Sequence, residues 1–267
     1  MKLAFYKPTD KTLKKYIQGY YFMSEDKKSD SFRYYTFPNN YNILSVVQNA
    51  KVEFEDNKFV VSSTLEKNII ADLVCSYSKP IEVIYKQPIN EITIYFKPLG
   101  ILPFLNNPEI FKQQVIENFN PFPDFKVEMK SIFEQPNRNS QIEQLENYWL
   151  SKFEKRDLSL MEEIVSDIEE NIKVQDIAEK YNLTRQYVNK LFLKFTGKSA
   201  SEYRKIHRFR NAVSAHKKSK NLTVLSYESF FFDQSHFIKD FKTLTDSNPN
   251  SFFKAVDTKN ENIWLIF

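Results

Sequence analysis

The stretch VQDIAEKYNLTRQYVNKLFLKFTG runs from Val174 to Gly197. In its first half, Ile177, Ala178 and Tyr181 fall on one face of a helix, and the small Ala178 lets a second helix cross closely. Asn182-Leu183-Thr184 then reads as a three-residue turn. Asn182 is one of the few non-glycine residues that tolerates the left-handed backbone such a turn needs. Thr184 is a suitable N-cap for the next helix. That helix buries Val188, Leu191, Phe192 and Phe195, spaced by three and four, and turns Arg185, Gln186, Asn189 and Lys190 outward. Helix, tight turn and capped helix together make a helix-turn-helix.

Any amphipathic helix has a polar face, so the outward residues matter by type. Asn and Gln pair bidentately with adenine, and Arg and Lys reach guanine or phosphate. A recognition helix carries such groups at its N-terminal end, against base edges in the major groove.

The same grammar returns about fifty residues later, in TVLSYESFFFDQSHFIKDFKTL from Thr223 to Leu244. Leu225 and the small Ser226 take the packing positions of the first helix. Phe231, Phe237, Phe241 and Leu244 continue the buried face, and Gln234, Ser235, His236 and Lys239 form the polar start of the second helix. His236 reads either as a groove-facing residue or as a packing and capping one. A metal role is not expected for it, because the only other histidines are His207 and His216 and no cysteine lies nearby.

Two such units joined by the helical SEYRKIHRFRNAV (201–213) resemble the DNA-binding domain of the AraC/XylS family of bacterial regulators. The likeness covers roughly 160–255 and rests on DIAEKYNLT, LFLKFTGKSASEYRKIHRFRNA and DQSHFIKDFK followed by SNPNSF, at the family's separations. It implies that both recognition helices enter successive major-groove segments of double-stranded DNA. Base-reading roles then pass to Gln186, Asn189 and Lys190 and to Gln234, Ser235, His236 and Lys239, with Thr184 and Arg185 near phosphate. The chain departs from the family at four places. Phe230 stands where a turn glycine is usual, so the turn either holds a strained left-handed Phe or changes shape. Phe232 replaces the usual small cap, which passes the cap to Asp233. Asp246 stands at a second glycine position, and Ala200 at a proline position.

The front of the chain has a different period. FRYYTFP (32–38), YNILSVVQ (41–48), KVEFE (51–55), KFVVS (58–62), PIEVIYK (80–86) and NEITIYF (90–96) are short, rich in β-branched and aromatic residues, and separated by turn formers. In the last, Ile92, Ile94 and Phe96 alternate with Glu91, Thr93 and Tyr95, as in a half-buried strand. Many short strands suggest a small barrel or sandwich. The family resemblance implies a cupin-like sensing or dimerising domain here. PEIFKQQVIENF (108–119) and SQIEQLENYWLSKFEK (140–155) read as helices trailing this domain. Tyr34, Tyr35, Tyr41, Tyr85 and Tyr95 either line an apolar pocket or pack a core.

Composition narrows the function. Residues 171–267 carry a net charge of +8 and residues 1–170 one of −4. A basic back half suits a polyanion, though Lys-rich solvated faces give the same balance. Residues 1–170 contain no histidine, which argues against a His-bound metal oxygenase, and Gly19 and Gly100 are too few for a phosphate-cradling loop. A single cysteine, Cys75, allows no disulfide within the chain. No signal-peptide core or membrane-spanning run is visible, so a cytoplasmic protein without a membrane role is expected.

The expected fold is α+β in two domains. Residues 1–155 form a β-barrel or cupin-like domain with trailing helices, and 156–267 an all-α tandem helix-turn-helix domain. The expected function is a sequence-specific, non-enzymatic transcription regulator of double-stranded DNA that needs no cofactor or metal and is controlled through its front domain by a small-molecule effector or by homodimerisation. The alternative is a small-molecule-binding protein or cupin-type enzyme with a degenerate helix-turn-helix appendage.

Overall fold

The computed structural model describes residues 2–24, 31–105, 107–256 and 264–266. The chain separates into two compact units. One holds Met1–Arg33, Tyr41–Cys75 and Val83–Asp157. The other holds Tyr34–Asn40, Ser76–Glu82 and Leu158–Phe267.

The strands are β1 (Lys2–Tyr6), β2 (Ile17–Ser24), β3 (Phe32–Thr36), β4 (Asn42–Gln48), β5 (Ala50–Glu55), β6 (Lys58–Ser63), β7 (Ile69–Val74), β8 (Ile81–Tyr85), β9 (Asn90–Phe96), β10 (Val115–Ile116) and β11 (Trp264–Ile266). One sheet has the order β1-β2-β9-β4-β7-β10 and the other β11-β3-β8-β6-β5. Residues rich in Ile, Val and Tyr favour this pleated, packed surface.

The expected closed barrel is not formed. The strands divide between two sheets, and the first ends at β1 on one side and β10 on the other. Asn49, at φ 53°, is the single residue between β4 of one sheet and β5 of the other.

Strand β9 is buried on both faces rather than one. Its pairing with β4 runs from Asn42 opposite Phe96 to Gln48 opposite Asn90. On the face read as polar, Glu91 is only 5% exposed. Its carboxylate accepts hydrogen bonds from Ser45 Oγ (2.5 Å), Tyr85 Oη (2.6 Å) and Thr93 Oγ1 (2.8 Å). Three hydroxyl donors supply what water would otherwise give a buried carboxylate.

The front unit also contains α1 (Lys11–Tyr16), α2 (Phe125–Phe133) and α3 (Arg138–Ser151). Asp10 caps α1, accepting from Thr12 N and Leu13 N. Glu146 of α3 is buried and accepts from Thr9 N, Thr9 Oγ1 and Asp10 N, which ties the start of α1 to α3. Trp149 of α3 packs edge-on against Phe96 (5.1 Å between ring centres) and Phe104 (5.5 Å). The helix expected over 108–119 is instead a single 3-10 turn, Pro108–Lys112, followed by β10. The β-branched Val115 and Ile116 pair with Val74 and Leu73, so tertiary pairing overrides the helical spacing.

The second unit is built from α4 (Ser159–Glu169), α5 (Val174–Lys180), α6 (Arg185–Thr196), α7 (Ala200–Ala215), α8 (Leu222–Glu228), α9 (Gln234–Thr245) and α10 (Pro249–Ala255). Helix α4 is bound into it by Lys180 Nζ, 2.9 Å from Asp167, and by Tyr203 Oη donating to Glu169 at 2.6 Å. Its second core cluster joins Ile206, Phe209 and Val213 of α7 to Leu225, Phe231, Phe237, Phe241, Leu244 and Phe252. Phe37, from far earlier in the chain, completes that cluster. The Phe37 segment is held in turn by Tyr77, whose hydroxyl donates to Phe37 O (2.7 Å) and accepts from Asn39 Nδ2 (2.9 Å). Tyr34–Thr36 also pair antiparallel with β11. Among the described residues no helix is long and apolar enough to cross a membrane.

Candidate nucleic-acid interface

The two helix pairs, α5–α6 and α8–α9, close their turns with the same hydrogen bond. Leu183 N donates to Ala178 O at 2.8 Å, and Phe231 N donates to Ser226 O at 2.9 Å. The preceding residue is left-handed in each, Asn182 at φ 54° and Phe230 at φ 63°. The small residues Ala178 and Ser226 are fully buried where the helices of each pair meet. Phe230 thus takes the strained option, and the turn keeps its shape.

The caps follow. Thr184 Oγ1 accepts from Tyr187 N (3.1 Å) and opens α6. Asp233 Oδ1 accepts from His236 N (2.7 Å) and opens α9, as the large Phe232 cannot. The second turn is one residue longer than the first, and Phe232 is the added residue. The far ends also repeat. Gly197 (φ 71°) closes α6 and Asp246 (φ 53°) closes α9, so Asp246 does occupy the glycine position in the glycine conformation. Thr196 and Thr245 each return a hydroxyl to the carbonyl four residues earlier, at 2.7 and 2.8 Å. Ser199 and Asn248 then cap α7 and α10.

The expected reading residues fall as follows. Thr184, Arg185, Gln186 and Lys190 are exposed on α6. Asn189 is half-buried, and its Oδ1 accepts from Ala200 N at 3.2 Å, so it also supports the start of α7. On α9, Ser235 and Lys239 are exposed, while Gln234 and His236 are half-buried. Gln234 Oε1 accepts from Thr223 Oγ1 of α8 at 2.8 Å. His236 Nε2 lies 3.3 Å from Asp240, and its ring packs edge-on to Phe231 at 5.8 Å. Arg208 of α7 reaches the same Asp240 at 3.4 Å and covers the Phe231 ring at 4.8 Å. His236 therefore combines both sequence-level readings: a packing residue with an accessible edge.

Several apolar side chains on and between these helices are exposed; of them the sequence singled out only Phe230 and Phe232, as turn residues and not for their exposure. Tyr187 and Leu193 on α6, Tyr227 and Phe230 at the second turn, and Ile238 on α9 are all solvent-facing, and Phe232 is 85% exposed. Aromatic and aliphatic types do not by themselves mark an exposed position, and only the three-dimensional face distinguishes them.

In the front unit, one cleft of about 620 Å³ lies among Tyr6, Thr9, Asn139, Ile142, Glu143 and Leu150. Another of about 530 Å³ lies among Lys67, Ile69, Ile70, Lys126, Val127 and Lys130. The five tyrosines considered as pocket residues line neither. Tyr85 and Tyr95 are buried, the first on Glu91 and the second against Tyr21 and Tyr41. Among the described residues no group of three or more His, Cys, Asp or Glu is placed to hold a metal ion.

Residues 177–255 match a family model described as a helix-turn-helix domain. The helix-turn-helix reading of the C-terminal region is thereby borne out over 177–255. Among curated proteins none matches the sequence. Among solved structures, ToxT from Vibrio cholerae is similar at 16% identity, over 95% of this chain and 97% of its own, with a TM-score of 0.42. Unsaturated-fatty-acid-bound ToxT from strain SCE256 is similar at 19% identity, over 87% of this chain and 92% of its own, with a TM-score of 0.43.

Proposed function

We propose that this protein is a DNA-binding transcription regulator that presents α6 and α9 to successive major-groove segments of one duplex. One observation carries the reading: the two helix pairs share the same turn hydrogen bond, left-handed residue, buried small residue and capped start. Each pair thus holds the first turn of its second helix rigidly and sets a row of hydrogen-bonding side chains on it. Such geometry suits base readout. The net +8 of residues 171–267 supplies the accompanying phosphate attraction.

In this reading Arg185, Gln186, Asn189 and Lys190 contact DNA from α6, with Thr184 near phosphate, and Gln234, Ser235, His236 and Lys239 contact it from α9. The unit centred on β1–β10 and α1–α3 acts as the controlling domain. It binds a small effector, forms a homodimer, or does both, without enzymatic chemistry. Two copies on one duplex raise affinity through effective concentration alone.

The test is binding of the full chain to duplexes selected from a random pool, followed over a salt series. Selection of a defined sequence, with affinity falling steeply as salt rises, is expected. Failure to enrich any duplex at low salt would overturn the reading. Sedimentation of the full chain at tens of micromolar tests the dimer separately.

A further inference from the structure

Phe232 has no counterpart in the first helix pair. There the chain passes from Leu183 directly to the cap Thr184, whereas here Phe232 intervenes between buried Phe231 and the cap Asp233. Its side chain is 85% exposed, the most exposed of the phenylalanines on these helices. A large apolar side chain left in water at this place gains nothing from burial in the free protein. Two and three residues further along the chain stand Gln234 and Ser235, which are proposed to face the groove.

Gln234 is constrained in a complementary way. Its Oε1 is occupied by the Thr223 hydroxyl at 2.8 Å, so the amide presents N–H donors outward. Asp233 is occupied too, since its Oδ1 caps the backbone at His236 N. The end of α9 therefore offers one apolar ring and one amide donor. In the major groove a single base displays the matching pair: thymine, with an O4 acceptor beside a C5 methyl group.

We infer that Phe232 is a specificity-determining residue that packs on the C5 methyl of a thymine whose O4 accepts from Gln234. The inference rests on the reading of α9 as a recognition helix. It assigns the second turn's extra residue to base selection.

The experiment uses the full chain and the duplex enriched from a random pool. Each thymine is replaced in turn by deoxyuridine, which removes only the methyl. The wild-type chain should lose about three- to ten-fold in affinity at one position, the size expected for one buried methyl contact. Phe232→Ser should bind more weakly and lose that sensitivity, while Phe232→Leu should keep part of it. Phe232 is exposed, so folding is not at stake, and the helical circular dichroism of each variant confirms it. Indifference of the wild-type chain to every deoxyuridine, or a full deoxyuridine penalty in Phe232→Ser, would overturn the inference while leaving DNA binding intact. Absence of binding to any duplex by the wild-type chain would instead overturn the function on which it rests.

Discussion

The ring of Phe37 meets that of Phe252 edge-on, with centres 4.8 Å apart and planes at 76°. These residues are 215 positions apart, yet both belong to the core of the second helix-turn-helix. Phe37 is 2% exposed and Phe252 3%. A domain that looks autonomous in the sequence is thus completed by a segment from the front half.

Phe37→Ala in the full chain should therefore weaken the C-terminal unit by about 3–5 kcal/mol, the usual result of emptying a buried phenylalanine site. Amide exchange would show it as lost protection in α7, α9 and α10, with the front sheet unchanged. A fragment beginning at residue 158 should show the same loss, since it lacks Phe37 altogether. Full protection of α9 and α10 in either protein would refute the proposed dependence.

Phe230 holds φ at 63° with the residue 45% exposed. A non-glycine residue in that conformation costs about 1–2 kcal/mol, and a ring only half covered returns part of it. Asn182 fills the matching place in the first turn and tolerates it better. Phe230→Asn should raise stability by about 1 kcal/mol, or a few degrees in Tm. A lower Tm in thermal unfolding would show that the ring makes a compensating contact.

Asn189 and Lys190 separate reading from support. Lys190 is exposed, so Lys190→Ala should leave Tm unchanged. It should weaken specific binding by about 1–3 kcal/mol if it meets a base, or lower the salt slope by about one if it meets phosphate. Asn189→Ala also removes the acceptor for Ala200 N, a capping loss of about 1 kcal/mol. It should therefore lower both affinity and Tm. Equal melting temperatures for the two variants would remove the structural role of Asn189.

Much of the C-terminal unit was legible because its signals are local. The caps Thr184 and Asp233, the left-handed Asn182, and the buried Phe231, Phe237, Phe241 and Leu244 all follow from residues within one or two turns of each other. The front unit was legible only as strands. Its sheet order depends on non-local pairing, and the passage from one sheet to the other at Asn49 is a single backbone angle. β7 and the strand pair β1–β2 were passed over, and the short α2 was hidden among prolines. Phe37 gave no local sign of its destination. At the interface, residue types pointed to Arg185, Gln186 and Lys190. Nothing in the sequence showed that Asn189 and Gln234 spend one polar atom each on the scaffold, or that Phe232 faces water.

Asp72 of β7 offers a test of the front unit by pH. It is 6% exposed, and burial raises its carboxyl from the ordinary 3.8 to about 6; Asn118 N, donating at 2.9 Å, opposes the shift, and Glu117 and Glu91 add to it. The folded state therefore holds a proton that the unfolded chain has already released between pH 4 and 6. Stability should fall as pH rises through that window and then level off, with a total on the order of 2–3 kcal/mol. Asp72→Asn keeps an acceptor for Asn118 N and removes the buried charge. It should flatten this part of the profile and make the protein more stable than the parent at pH 7.5, by roughly the same 2–3 kcal/mol. Denaturant titrations of both proteins at pH 4.5, 6 and 7.5 measure the effect directly. A parent whose stability rises steadily from pH 4.5 to 7.5, with Asp72→Asn following it in parallel, would show that Asp72 is ionised in the fold at little penalty.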